Sequence, residues 1–342
     1  MQALGWAGYP RAMFESFADV WTPVTLARNL KPDRPLGVML AGERLVFFRR
    51  KDGTPAALID RCPHRGAQLS IGKRTKEGCV ECPFHAWTFD GDGQVTHVPL
   101  NPEAKKERLS ATALPTREIG GLLWVYTHAG ATAPSEPIVP DGLTMQEAAR
   151  TYLEVEWAAH WTRAMENMLD NPHVPFVHKK TIGRFVQPYL HYDTSMEVDW
   201  EPTDYGGRVV SRIANVRDMA SLDFFKPNMM VLNIPMPGKV FRMHALCVPV
   251  DQKKVRMIVI GARTFATFSW LNPLFNWSNQ RIVNEDQAVV ESSDPVEVPP
   301  ASHEVSVRTD KATLQFRKYY YETLKPSTTP PKRQLSVATD AA

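Results

Sequence analysis

The chain has 342 residues, of which 43% are hydrophobic and 23% charged, and its formal net charge is +3. This composition describes a globular protein and excludes a disordered chain. So small a charge gives no argument for binding nucleic acid or an anionic membrane. The longest apolar runs, such as 121–127 and 229–235, are far shorter than the roughly 20 residues that cross a bilayer. Because the start also lacks the order of a secretion signal, we expect a cytoplasmic protein without a membrane span.

The first third of the chain is predicted to be all-β. Short strand-like runs between residues 37 and 127 are separated by turn residues. A stretch rich in proline and alanine, 129–142, then forms a connection. We therefore predict one domain over 1–140, including an N-terminal extension, a second over 141–325, and a disordered tail over 326–342.

The second domain has a different pattern. A strand-like run at 151–157 is followed by a helical segment, five more strand-like runs, and a long helix over 275–292. A further helix is expected to start near Asp310. Strands that are covered by a few helices indicate an α+β domain with an antiparallel sheet.

The strongest chemical signal is a pair of Cys-His motifs. Cys62 and His64 form C-x-H, and after 17 residues Cys82 and His85 form C-x2-H. Two thiolates and two imidazoles on short loops suit a metal centre, and in a Rieske cluster the cysteines bind one iron and the histidines the other. A Cys2His2 zinc site would use the same ligands, although C-x-H steps are unusual there. We expect the neighbouring Cys79 to be a small buried residue rather than a ligand.

The segment containing CPHRGA and CPFHAW resembles the Rieske domain of the non-haem iron oxygenases. One departure is Ala86, where that family most often has glycine, and we expect no effect on the cluster. The resemblance implies a Rieske [2Fe-2S] domain followed by a helix-grip (START-like) catalytic domain that has a curved antiparallel sheet.

A second set of residues follows at 166–180. His173 and His178 would lie about 140° apart on a regular helix, which suits chelation poorly. Pro172 and Pro175 predict a break that brings both imidazoles to one metal. We also expect Asn167, Asp170 and His173, which are spaced by three, to form one stripe upstream of the break.

This stretch resembles the oxygenase motif N-x2-D-x2-H-x4-H at each position. The resemblance implies that His173 and His178 bind a mononuclear Fe(II), and that Asp170 links an iron-binding histidine to a Rieske histidine. It also places the third ligand, a carboxylate, on the closing helix. Asp286 matches the E-D-x-x-V form of the monooxygenase branch. Glu285 and Glu291 are the alternatives, and Glu285 fits an exposed acidic patch better.

The family resemblance implies an oxygenase of the monooxygenase type that takes electrons from NAD(P)H. Since the chain has no G-x-G-x-x-G signature, a separate reductase or ferredoxin must deliver them. A homotrimer is expected in which His85 contacts Asp170 of a neighbouring chain. Four basic residues flank the cluster loops and are candidates for donor docking or for a solvated hairpin: Arg65, Lys73, Arg74 and Lys76.

The substrate is expected to be a mainly hydrophobic organic molecule, because apolar residues accompany the iron motif. The residues in question are Met165, Met168, Leu169, Phe176, Phe185, Met229 and Met230. The sequence does not choose between hydroxylation, dealkylation and desaturation. The alternative function is a Rieske electron carrier or ligand-binding protein with a vestigial iron site.

Overall fold

The computed structural model describes residues 13–14, 16–106, 109–129, 133–213 and 220–325. The predicted tail at 326–342 lies outside this range. Every strand pairing in the described part is antiparallel.

The first part of the chain forms three small sheets. Two of them have the strand orders β1-β11-β10 and β2-β3-β4-β9. The third has the order β5-β6-β7-β8, with β5 and β6 before the second Cys-His loop and β7 and β8 after it. The strands are β1 (Trp21–Leu26), β2 (Leu36–Leu40), β3 (Glu43–Arg49), β4 (Pro55–Ile59), β5 (Lys73–Arg74), β6 (Val80–Glu81), β7 (Thr88–Phe89), β8 (Val95–His97), β9 (Ala113–Leu114), β10 (Thr116–Ile119) and β11 (Leu122–Tyr126).

The second part is built on a seven-stranded sheet of order β12-β18-β17-β16-β15-β14-β13. Four helices accompany this sheet, and a turn of 3-10 helix at Ser269–Leu271 leads directly into α3. The elements are β12 (Ala149–Trp157), α1 (Trp161–Leu169), α2 (Val174–Val177), β13 (Met196–Thr203), β14 (Gly206–Ile213), β15 (Ser221–Phe225), β16 (Met229–Asn233), β17 (Phe241–Asp251), β18 (Lys254–Arg263), α3 (Asn272–Val290) and α4 (Lys311–Tyr319).

Both faces of the central strands are covered. β17 and β18 are buried along most of their length, unlike β14, where exposed arginines alternate with buried residues. Contacts from the first part of the chain explain this burial, since Ala41 and Gly42 donate backbone hydrogen bonds to the carbonyls of Pro249 and Val250. One hydrophobic cluster accordingly includes residues on both sides of position 140.

Helix α1 forms because its apolar residues recur at helical spacing. Trp161, Ala164, Met165 and Leu169 are buried and define the face that packs toward the sheet. The side chain of His160 caps the helix by accepting a hydrogen bond from the backbone N–H of Thr162. This packing fixes the position of the residues that follow α1.

The predicted α+β architecture with antiparallel sheets is confirmed. The expected strand at 151–157 begins two residues earlier, and the closing helix covers Asn272–Val290 rather than 275–292. The sequence interpretation missed β1, β15 and the short strands around the cluster loops.

Candidate metal centres

The two Cys-His loops have the same backbone geometry. In the first, the N–H of Cys62 donates to the carbonyl of Ala67, and the N–H of Gly66 donates to the carbonyl of Cys62. In the second, Cys82 donates to Trp87 and Ala86 donates to Cys82. The fifth position of each loop has a positive φ, 75° at Gly66 and 54° at Ala86.

These loops bring the four predicted ligands together as two pairs. Cys62 and Cys82 are both buried and interact with each other, and burial is the main reason why the pKa of the Cys62 thiol is raised. The imidazole rings of His64 and His85 lie 4.7 Å apart between centroids. His64 stacks on Trp87 at 4.5 Å and its Nδ1 is buried without a hydrogen-bond partner.

The pairing suits a diiron cluster better than zinc. A tetrahedral zinc ion would draw all four ligand atoms to one point. Among the described residues, however, the one convergent set of ligand atoms belongs to a different part of the chain. Cys79 is buried on the hairpin between the loops, with Thr96 Oγ1 at 3.9 Å from its sulfur, as expected for a structural cysteine.

The basic residues around the loops differ in their surroundings. Arg65, Lys73 and Lys76 are exposed. Arg74 instead donates to the backbone carbonyls of Arg49, Arg50 and Thr75, so it serves the hairpin rather than a docking surface.

The second site begins where α1 ends. Leu169 is the last residue of α1, and the chain then makes one short helical turn, α2, with His173 before it and His178 after it. The predicted break is therefore confirmed, and it brings the two imidazole rings to a centroid distance of 5.2 Å. The predicted stripe of Asn167, Asp170 and His173 is wrong, because Asp170 has already left the helix with an extended backbone.

Asp286 on α3 completes the arrangement. Its Oδ1 lies 3.0 Å from Nε2 of His178 and 3.5 Å from Nε2 of His173. One ligand atom from each of the three residues lies within 4.8 Å of the others. Of the candidate carboxylates, Asp286 thus occupies the predicted position.

The donor set fits a divalent metal ion. The Oδ1 atom of Asp286 is buried and, despite its short distances to both imidazoles, has no partner in hydrogen-bond geometry. Burial alone would lower the pKa of His178, but contacts with Asp286 and Glu285 outweigh it, so the net pKa is raised. Buried ligand atoms beside the carboxylates of Asp286 and Glu285 form an environment in which a cation is stabilised. Two histidines with one carboxylate are a ligand set that suits Fe(II).

The sequence interpretation considered Glu285 only as an alternative ligand or an exposed acid, and missed its contact with His178. Its Oε2 lies 2.9 Å from His178 Nδ1 and accepts a 2.6 Å hydrogen bond from Thr181 Oγ1. Since a carboxylate only accepts, Nδ1 of His178 carries a proton, and Nε2 is the nitrogen that faces Asp286 and the site. The expectation of an exposed acidic patch is therefore wrong. The sequence feature that could have pointed to this role is the E-D dipeptide, in which Glu285 directly precedes Asp286.

Asp170 contacts a histidine of the site, and Asn167 lies on the last turn of α1 just before it. Asp170 Oδ2 accepts from the backbone N–H of His173 and lies 3.2 Å from its Nδ1, so it orients that ring as expected. The Nδ2 of Asn167 is buried without a partner among the described residues.

Only some of the apolar residues that were expected to accompany the iron site are buried. Met165, Leu169, Met229 and Met230 are buried. Phe176 and Phe185 are each 67% exposed, so they are not part of the buried apolar set.

A cysteine–histidine cluster module joined to a domain with a two-histidine, one-carboxylate site defines the class of Rieske oxygenases. Residues 20–115 match the model of the Rieske [2Fe-2S] domain, and 157–325 match that of the vanillate O-demethylase oxygenase C-terminal domain. The chain belongs to the Rieske non-haem iron oxygenase family. In this family the second domain binds a mononuclear iron.

The comparisons with individual proteins agree. The chain is 32% identical to chlorophyllide a oxygenase of Chlamydomonas reinhardtii over 75% of this chain and 39% of that protein. It is 29% identical to the methylxanthine N3-demethylase NdmB of Pseudomonas putida over 88% of each. The solved structure of NdmA from Pseudomonas putida CBB5 superposes with a TM-score of 0.77, 26% identity and 89% coverage of both chains. The chain spans only 39% to 57% of the chloroplast oxygenases that it matches.

Proposed function

We propose that this chain is the oxygenase component of a multicomponent monooxygenase. It uses O2 and electrons from NAD(P)H, delivered by a separate reductase or ferredoxin, to hydroxylate, demethylate or desaturate a mainly hydrophobic organic molecule. The observation that carries the proposal is the convergence of His173, His178 and Asp286 at one buried point.

The residues divide into two sets. Cys62, Cys82, His64 and His85 would hold the [2Fe-2S] cluster, and His173, His178 and Asp286 would hold the mononuclear iron. When bound, the cluster supplies single electrons and the iron supplies the capacity to activate oxygen. Asp170 fixes the ring of His173, and Glu285 fixes the ring of His178, so that both Nε2 atoms point to the same place. The amide of Asn167, three residues before Asp170, is a buried donor without a partner among the described residues.

A homotrimer with electron transfer between chains belongs to this proposal. His85 and its neighbour Phe84 are exposed at the tip of the second cluster loop, where another chain can reach them. The side chain of Asp170 is 28% exposed while it holds His173. In the proposed trimer this carboxylate would accept a hydrogen bond from His85 of a neighbouring chain and so link the two centres.

The domain division at residue 140 and a cytoplasmic location remain part of the proposal. All four cysteines are free, as is usual in a reducing compartment. The described residues contain no helix that is long and apolar enough to span a membrane.

The alternative, a Rieske electron carrier with a vestigial iron site, has less support. A vestigial site would be free to lose its ligands or their orienting partners, whereas this one retains three convergent ligand atoms and both carboxylate–histidine contacts.

The two functions are separated by coupled oxidation. With a surrogate reductase, a screen of hydrophobic molecules should identify compounds that stimulate NADH and O2 consumption, and Asp286→Ala should abolish that stimulation while it preserves reduction of the cluster. Equal stimulation in Asp286→Ala would exclude the proposed iron site. Cluster reduction without stimulation by any compound would favour the carrier.

A further inference from the structure

A solvent-facing patch of large apolar side chains lies where β18 leads into α3. Phe268, Trp270, Leu274 and Trp277, here called the aromatic patch, are between 59% and 73% exposed. The rings of Phe268 and Trp270 stack with centroids 6.3 Å apart. Exposed apolar groups that cluster in this way on a folded protein indicate an interaction surface.

The helical geometry separates this patch from the metal site. Trp270, Leu274 and Trp277 follow one another at spacings of four and three residues along the continuous helical stretch from Ser269 to Val290, so they share one side. The buried residues Asn279, Val283, Asp286 and Val290 face the sheet from the other side. On α3 the aromatic patch therefore faces away from Asp286 and the other buried residues.

The backbone beneath the patch is held firmly. Arg263 is 1% exposed, and its guanidinium donates to the carbonyl of Ala266 and to Oδ1 of Asn272 while it lies 3.9 Å from the ring centroid of Phe275. Both ends of the connecting segment are thus tied to the end of β18. The exposed rings are presented by a fixed scaffold.

The charge pattern indicates the partner. Residues 264–280 contain no charged side chain, and cations stand at the borders of this run. Lys239 Nζ lies 5.6 Å from the ring centroid of Phe265, and Arg281 Cζ lies 5.2 Å from that of Trp277. Tryptophan, phenylalanine and leucine bordered by lysine and arginine are the combination that binds the interface of a bilayer carrying anionic lipids.

We propose that the aromatic patch docks this chain on the surface of an anionic lipid bilayer, with Trp270 and Trp277 in the headgroup region and Lys239 and Arg281 toward the lipid phosphates. The attachment is peripheral. It does not depend on the oxygenase activity proposed above, because none of these side chains belongs to the metal centres.

Vesicle binding tests the proposal. The full chain should sediment with vesicles of phosphatidylcholine and phosphatidylglycerol, and less with phosphatidylcholine alone or at high salt, since salt screens the cations. Replacing both Trp270 and Trp277 by serine should lower the partition coefficient about tenfold or more. The control replaces Leu100 and Val305, which lie elsewhere and are even more exposed than the two tryptophans, by serine and should bind like the parent.

Two further measurements distinguish the bilayer from other occupants. Lipids brominated near the headgroup should quench part of the tryptophan fluorescence of the parent. The double variant Trp270→Phe, Trp277→Phe should still bind, and its remaining fluorescence should be quenched less. No sedimentation of the parent, or equal binding by the serine variant, would overturn the proposal. So would a fall in the oligomeric state of the serine variant without vesicles, because the patch would then be a contact between copies of the chain.

Discussion

At position 86 an alanine occupies a backbone conformation that favours glycine. Its φ of 54° corresponds to Gly66 in the matching loop, where φ is 75°. A left-handed conformation costs a residue with a Cβ about 1–2 kcal/mol, partly offset by the greater flexibility of glycine in the unfolded chain. We expect Ala86→Gly to raise the free energy of unfolding by about 0.5–1 kcal/mol, as measured by urea denaturation with the cluster intact.

The reciprocal change at Gly66 is a matched control. A Cβ there would meet Arg61 Nε at an ordinary 3.5 Å, so backbone strain is its main cost. Gly66→Ala should lower the free energy of unfolding by about 1–2 kcal/mol. Changes of the same sign in both variants would refute the strain argument.

Replacing Glu285 tests how much the orientation of the His178 ring contributes to metal binding. Glu285→Ala removes the acceptor of His178 Nδ1–H, and we expect the affinity for iron to fall about 10–100-fold. Competition between the protein and a chelator for Fe(II) or Co(II) measures this loss. Glu285→Gln, which retains an acceptor oxygen, should lose less.

The control for that experiment is Glu291→Gln. Glu291 lies on the same helix but accepts from the backbone N–H of Ala158 and from Gln287, away from the ligands. An equal loss of affinity in this variant would mean that Glu285 acts only through the stability of α3.

At the scale of elements, an ion network joins α1 to α4. Arg317 donates to Glu166 and to Glu304, and Arg163 contacts the same two carboxylates. Arg317 is 8% exposed in its side chain, and these contacts outweigh the effect of burial and raise its pKa. The network holds the helix that leads to His173.

Replacing Arg317 by methionine would leave Glu166 and Glu304 with Arg163 as their remaining cation among these contacts, and would remove the charged hydrogen bonds to the largely buried Glu166. We expect the free energy of unfolding to fall by about 1.5–3 kcal/mol in chemical denaturation. Lys311→Met on the same helix removes only an exposed pair with Asp199 and should change it by less than about 1 kcal/mol. Similar losses in both variants would contradict the role of the buried network.

Element types and the convergence of His173, His178 and Asp286 could be predicted from the sequence, whereas the surroundings of these residues could not. The break between His173 and His178 followed from the prolines, because proline acts locally on the backbone. The contact of Glu285 with His178 joins residues that are 107 positions apart in the chain, so no local pattern encodes it. Strands of two or three residues, such as β5 to β9, carry too little periodicity to be recognised.

At the scale of the whole molecule, the proposed trimer makes Asp170 the link between two chains. We expect Asp170→Asn to retain both metals, since Asp170 orients His173 but is not placed as a ligand, and to lose nearly all turnover. Iron content and the spectrum of the reduced cluster would verify retention, and product formation would measure the loss. Full activity would contradict the bridging role.

The central claim, that one chain holds both a Rieske cluster and a separate iron, is tested most directly by metal analysis combined with EPR of the reduced protein. The account predicts acid-labile sulfide with a Rieske signal, together with iron in excess of the cluster that disappears in Asp286→Ala while the signal stays. Zinc in place of iron and sulfide, or a cluster without additional iron in the parent, would contradict it.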